Sequence, residues 1–211
     1  PPDQPTAYRS TATGLQSLGT LAGRQFVKAT GISSDGSVVF GTCFDWVDQP
    51  SFGKQNLRAF RWTSQGMREL RGPASMGDAD TEVICSNAAG DTAFGNCVKN
   101  TNGYRSQAVR WSGANGSVTT IGPLTGLGHD NSEIILANKA GTVVFGVSWQ
   151  DGNDVSWRFF RWANGSITHV VEPPLTSGNL DAVAVSDDGT TLLGVEQQVA
   201  PEGQYVYAEI G

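Results

Sequence analysis

Apolar and polar positions alternate along this chain in short runs broken by turns rich in Gly, Asp, Asn and Ser, and no window sustains the 3.6-residue period of a capped amphipathic helix. The clearest run is Gly31-Ile32-Ser33-Ser34-Asp35-Gly36-Ser37-Val38-Val39-Phe40-Gly41, in which a turn glycine precedes a second glycine by five residues with strand-forming residues between them. The same pattern returns around Gly90 and Gly95, Gly141 and Gly146, and Gly189 and Gly194. The turn glycines are spaced by 54, 51 and 48 residues. Four short strands fit into each interval, and a period near 50 with four strands per unit predicts propeller blades or a related β-array.

In the first unit the strands are expected at 26–31, 37–43, 57–63 and 67–71, with a variable connector over 44–56. The second unit has strands at 81–84, 92–98, 108–111 and 118–121, and the third at 133–137, 142–147, 159–162 and 167–171. A fourth begins at 181–185 and 190–195 and carries a further strand at 205–208. The third strands repeat an alternation: Phe60 with Trp62, Val109 with Trp111 and Phe160 with Trp162 share one face, while Arg61, Arg110 and Arg161 point to the other. Sheets that pack on both faces need such a pattern. The chain thus reads as all-β, a propeller-like array of about four four-stranded repeats within a single repeat domain, divided as a half unit over 1–24, units over 25–79, 80–130 and 131–179, and a partial unit over 180–211. The half unit resembles a third and fourth strand, so it could complete the last blade, although the strand at 205–208 competes for that place.

Composition narrows the class of partner. Glycine numbers 27 of 211 residues and charged residues make up only 16%, which fits many tight turns and few surface helices. The formal net charge of -6 opposes nucleic acid and anionic membrane surfaces, and no apolar run is long enough to span a bilayer as a helix. The chain opens on Pro1-Pro2-Asp3-Gln4-Pro5 without an initiator Met, as a chain would from which a leader had been removed or one that is part of a longer array. Its composition suits a secreted or surface protein. Cys43, Cys85 and Cys97 fit no metal-ligand spacing; one disulfide with a free thiol, or three buried thiols, are both compatible with the sequence.

The residues Leu18-Gly19-Thr20-Leu21-Ala22-Gly23, Gly31-Ile32-Ser33, Gly36, Val38-Val39, Gly41, Arg58-Ala59-Phe60-Arg61-Trp62 and Gly66-Met67 resemble the HAF-type extracellular repeats of bacteria. The resemblance covers nearly the whole chain, with Arg58-Ala59-Phe60 standing where that repeat has its His-Ala-Phe triplet. It implies a propeller-like, secreted or surface-displayed protein, often an autotransporter passenger or another cell-envelope protein. It supplies no catalytic residue and no ligand.

Candidate chemistry is sparse. There is no Ser-His-Asp signature, P-loop or dinucleotide fingerprint. His129 and His169 are the only histidines, and each reads as a surface or structurally satisfied residue. The recurring arginines and third-strand tryptophans read as packing or inter-blade contacts, because a residue present in every unit serves what every unit needs. Asp78 with Asp80 and Asp187 with Asp188 read as solvated turns, and Asn115-Gly116-Ser117 and Asn164-Gly165-Ser166, though sequons, read as hairpin turns. Residues that break the repeat are more informative. Trp46, Trp149 and Trp157 have no counterparts in register and fall in the second-to-third-strand connectors beside Asp45, Asp48, Asp151 and Asp154. Exposed tryptophan beside carboxylates suits stacking on sugar rings, and the paired acids would also suit calcium through hard oxygen ligands. The sequence therefore points to a non-enzymatic binding or adhesion module for a glycan or protein on a cell surface. The alternatives are a carbohydrate-active hydrolase using the connector carboxylates and a self-associating subunit of an extracellular assembly.

Overall fold

The computed structural model describes residues 6–47, 53–100, 103–151, 157–170, 179–199 and 205–210. A hairpin of β1 (Tyr8–Thr11) and β2 (Gly14–Ser17) precedes three four-stranded antiparallel meanders. Sheet 1 holds β3 (Phe26–Ile32), β4 (Val39–Val47), β5 (Gly53–Thr63) and β6 (Gly66–Leu70); sheet 2 holds β7 (Asp80–Ser86), β8 (Thr92–Lys99), β9 (Arg105–Ser112) and β10 (Ser117–Thr120). Sheet 3 holds β11 (Asn131–Ala137), β12 (Val143–Trp149), β13 (Arg158–Ala163) and β14 (Ser166–His169), and sheet 4 holds β15 (Asn179–Val185), β16 (Leu192–Val199) and β17 (Tyr205–Ile210). The first strands β3, β7, β11 and β15 touch in succession, so the sheets stand side by side as blades. The protein is an all-β, propeller-like array.

Both glycines of the repeat have a mechanical reason. Each unit's first strand carries a bulge, at Thr30, Ile84, Ile135 and Val183, and the second glycine lies opposite the residue before it: Gly41 against Ala29, Gly95 against Val83, Gly146 against Ile134 and Gly194 against Ala182. The bulge pushes the carbonyls of Lys28, Glu82 and Glu133 onto the α-carbons of Gly41, Gly95 and Gly146, where a Cβ has no room. At the turn, Gly36, Gly90, Gly141 and Gly189 all adopt φ between +69° and +74°.

The residue three places before each turn glycine closes the turn in one of two ways. Ser33 and Ser186 accept the amides of Val38 and Thr191 at 2.9 and 3.0 Å and donate their hydroxyl protons to Asp35 and Asp188 at 2.6 Å. Asn87 and Asn138 accept the amides of Thr92 and Val143 at 3.2 and 2.9 Å and donate Nδ2 to Asp91 and Thr142. Adjacent turns are then bonded to each other: Ser34 N–H donates to Ala88 O at 2.8 Å, and Ala88 N–H to Lys139 O at 2.9 Å.

The core lies in the gaps between blades. The gap between sheets 1 and 2 is filled by Phe40, Ala59 and Leu70 against Val83, Ala93 and Trp111; that between sheets 2 and 3 by Phe94, Ala108 and Ile121 against Ile134, Val144 and Phe160. Burying Phe40 or Phe94 contributes roughly 1.5–3 kcal/mol each. Leu193, which takes the same place on sheet 4, is 40% exposed, since no further sheet covers it among the described residues. Buried polar side chains stitch across the gaps: Ala59 N–H donates to Thr81 Oγ1 (2.9 Å), Ala108 N–H to Ser132 Oγ (3.1 Å), Val83 N–H to Thr42 Oγ1 (3.1 Å) and Ile134 N–H to Asn96 Oδ1 (2.7 Å). Among the described residues the recurring arginines join blades without ion pairs: Arg61 and Arg161 donate to the turn carbonyls of Gly90 and Gly189 at 3.4–3.5 Å, and Arg110 lies over the Trp162 ring.

One expectation changes, and two places that the sequence leaves open are filled. The first connector is shorter than 44–56, because β4 runs on to Val47 and β5 starts at Gly53. The third place in sheet 4 belongs to β17, whose Ile210 faces Gly194 as Phe60 faces Gly41 and Phe160 faces Gly146; the β1–β2 hairpin remains a separate sheet packed through Ala7 and Leu18 on sheet 1. Cys43, Cys85 and Cys97 are all free thiols. Cys43 and Cys97 are equivalent in their units, which places them in two successive gaps with a whole sheet between them. Burial pushes the thiols of Cys85 and Cys97 up to about 12, so they are poor nucleophiles.

Candidate functional site

At the end of the blades opposite the glycine turns, the second and third strands of each sheet run out to their connectors, and there the units differ. In sheet 1 the strands extend furthest, and Asp45 is consumed by structure. Its carboxylate accepts Arg24 Nη1 at 3.0 Å, the Gln25 amide at 3.2 Å and Asn56 Nδ2 at 3.0 Å. These bonds pin the entry to β3 against the β4–β5 ribbon. Trp46 stands on β4 opposite Lys54, on a strand rather than in a loop and on a different sheet from the other two tryptophans. Asp48 and Asp154 lie outside the described residues.

Sheets 2 and 3 build a different end. Trp149 closes β12 and is only 4% exposed, so it is not the solvent-facing loop residue its sequence position predicts. It is the middle of an aromatic stack: Trp157 lies on it with ring centroids 4.2 Å apart and planes 21° from parallel, and Tyr104 lies 6.3 Å from it. Trp157 and Tyr104 are 47% and 44% exposed. The stack is braced by Tyr104 Oη, which donates to Glu133 Oε1 at 2.8 Å; burial and that carboxylate push the phenol up to about 12, so it remains a donor at any ordinary pH.

Beside the stack, with Tyr104 alone of the three rings in its wall, lies a cavity of about 390 Å3 at the connector ends of sheets 2 and 3; Lys99, Arg105, Asp130, Asn131 and Asp151 line it, as do Ser75 and Met76 of the turn before sheet 2. Its floor is rigid. Asn131, almost fully buried, accepts the Ser106 amide at 2.8 Å and donates to Asp130 Oδ1 at 2.9 Å, and the same oxygen accepts the Asp151 amide at 3.0 Å. Of the two connector acids among the described residues, Asp151 is placed at this cavity and Asp45 is not. Lys99, Tyr104, Arg105 and Asp130 were not picked out, because they come from three separate segments and form no motif. The one available signal was symmetry, since Lys99 and Arg105 flank the second connector at equal distances from its middle.

Other clusters resolve into structure. Arg58 is clamped by Asp78 at 2.8 Å, Asp80 at 3.2 Å and Glu69 at 3.5 Å, tying sheet 1 to the strand that opens sheet 2. Burial raises the Asp80 carboxyl despite that arginine. His129 meets Ser148 Oγ at 3.1 Å, but the pair is not a nucleophile with its base. Ser148 Oγ spends its proton on Asn131 O at 2.9 Å and accepts the Leu124 amide at 3.0 Å, so its remaining lone pair takes Nδ1–H of a neutral histidine. Among the described residues no three His, Cys, Asp or Glu side chains come together as a metal site would require, and no helix is long and apolar enough to cross a membrane, which says nothing about a β-barrel.

No protein-family model and no curated protein matches the sequence. Among solved structures, TolB from Acinetobacter baumannii is 15% identical with a TM-score of 0.49, over 92% of this chain and 45% of that one. A TolB-type protein from Agrobacterium tumefaciens is 15% identical with a TM-score of 0.46, over 78% of this chain and 59% of that one. A puromycin hydrolase S511A mutant complexed with PGG is 14% identical with a TM-score of 0.26, over 93% and 35%. The chain spans about half the length of the two TolB structures.

Proposed function

We propose that this chain is a non-enzymatic binding module of the bacterial cell envelope or surface, akin to the HAF-type extracellular repeats, and that it takes up a glycan in the cavity at the connector ends of sheets 2 and 3. The observation that carries the reading is the stack of Tyr104, Trp149 and Trp157 beside that cavity. The buried middle ring fixes the outer two, so their exposed faces are preorganised platforms for the apolar face of a pyranose. The carboxylates and the amide at the cavity floor supply acceptors and a donor for hydroxyl groups. Adhesion to a glycan-bearing surface is the biological role that fits such a site on a secreted array.

Isothermal titration of the chain against soluble oligosaccharides, preceded by a glycan-array screen, tests the reading. Binding that falls at least about tenfold in Trp157→Ala and Tyr104→Ala, with unfolding curves close to the parent, is the expected result. A parent protein that binds no saccharide would overturn it.

A further inference from the structure

Within the glycan reading of this cavity, on which the following rests, we infer that the saccharide is anionic. Lys99 and Arg105 are direct cross-strand partners at the open end of the β8–β9 ladder, and both line the cavity. Directly opposed like charges destabilise an antiparallel pair. Among the described residues neither Lys99 nor Arg105 makes an ion pair, as is also true of the opposed Arg61 and Arg68 on sheet 1; what sets Lys99 and Arg105 apart is that both line a cavity. That concave space is flanked by Tyr104, with Lys99 Nζ beside Gly77 at the Ser75–Met76 turn.

Asp130 and Asp151 occupy the facing side, contributed by the start of sheet 3 and its connector. Asp130 already accepts two protein hydrogen bonds on Oδ1, which turns part of its charge toward the floor. The cavity is therefore divided: donors of positive charge on the sheet 2 side, acceptors on the sheet 3 side, and the Tyr104 ring beside both. A neutral sugar would satisfy the acceptors and the ring and leave Lys99 and Arg105 opposed. A sugar carrying a carboxylate or sulfate satisfies all three, with the anion received by charge-assisted hydrogen bonds from lysine and arginine. Because the chain as a whole carries a net charge of -6, these cations act at contact and not by long-range attraction.

The test compares oligogalacturonate with its methyl ester, which keeps the ring and hydroxyls and removes only the charge, and adds a sulfated oligosaccharide of equal length, all titrated calorimetrically into the full chain. The acid is expected to bind at least about tenfold tighter than the ester, with the advantage shrinking as salt rises. K99Q/R105Q is expected to lower affinity for the acid to that for the ester, while Lys54→Gln, on sheet 1 over the Phe44 ring, changes neither. Binding of the sulfated sugar with the same dependence on Lys99 and Arg105 also supports the inference, with sulfate as the recognised group. Equal affinity of the parent for acid and ester overturns the inference and leaves the glycan site standing. Failure of all three sugars, and of every neutral glycan, sinks both.

Discussion

The two ends of the blades obey different rules. At the turn end, four units carry the same geometry, with glycine at φ near +70°, a serine or asparagine closing the turn, and a neighbouring turn within hydrogen-bond reach. At the connector end the described residues differ: sheet 1 extends a ribbon pinned by Asp45, while the ends of sheets 2 and 3 line a cavity. Repetition marks what stacking requires, and departure from it marks where a single unit is free to acquire chemistry.

Four measurements would break or sharpen that contrast. The largest effect belongs to the turn end. In Gly90→Val the new Cβ would lie 2.6 Å from Ser33 Cβ in a left-handed conformation, and a loss of about 3 kcal/mol is expected in denaturant unfolding. Asn138→Ala removes the acceptor for the Val143 amide and the donor to Asp187 O, 2.9 Å away in the next unit, which should lower stability by about 2 kcal/mol. Trp157→Ala at the connector end should lose about 1 kcal/mol or less while weakening saccharide binding at least about tenfold, so that stability and binding separate between the two ends. A connector-end change as damaging to folding as Gly90→Val would remove the distinction.

The smallest effect is one of pH. Asp35 and Asp188 accept hydroxyl and amide protons from the serine-type turns, which holds both carboxyls down to about 2. Their folded values lie below the unfolded value near 4, so their stabilisation is fully present above about pH 4 and is lost as pH falls from there toward 2. D35N/D188N should lower the melting temperature at neutral pH and flatten the acid limb in that window, so that variant and parent converge toward pH 2. No such flattening would mean that these turns carry no electrostatic share of stability.

Sequence exposed the turn end almost completely. Positive φ and a bulge carbonyl against an α-carbon both demand glycine, and period-two alternation shows directly in Phe60 with Trp62 and Val109 with Trp111, all of which are buried. The stitches between blades were not legible. Thr42, Thr81, Asn96 and Ser132 look like ordinary polar residues on half-exposed strands, and only the stacking of sheets shows that each receives an amide from its neighbour. At the connector end sequence found the tryptophans and misjudged their setting. Trp149 reads as a loop residue because the sequence pattern ends its strand at 147, whereas the strand runs on to Trp149, where Trp157 and Tyr104 reach it from other segments. Charge pairing was equally hidden, since Lys99 and Arg105 become neighbours only once the ladder between β8 and β9 is set.

The turn-to-turn bonds have a sense of direction. Ser34 gives its amide proton to Ala88, and Ala88 gives its own to Lys139, so the peptide dipoles at this rim point the same way from blade to blade. The two bonds use different peptides of the same turn, since Ala88 accepts on the carbonyl of the Ala88–Ala89 peptide and donates from the Asn87–Ala88 amide, so each turn is clasped on both sides. At the third junction Asn138 Nδ2 donates forward to Asp187 O in place of a backbone amide, so the rim keeps one direction from blade to blade: a blade shuffled into this array is matched when it offers an acceptor backward and a donor forward, whether from backbone or side chain.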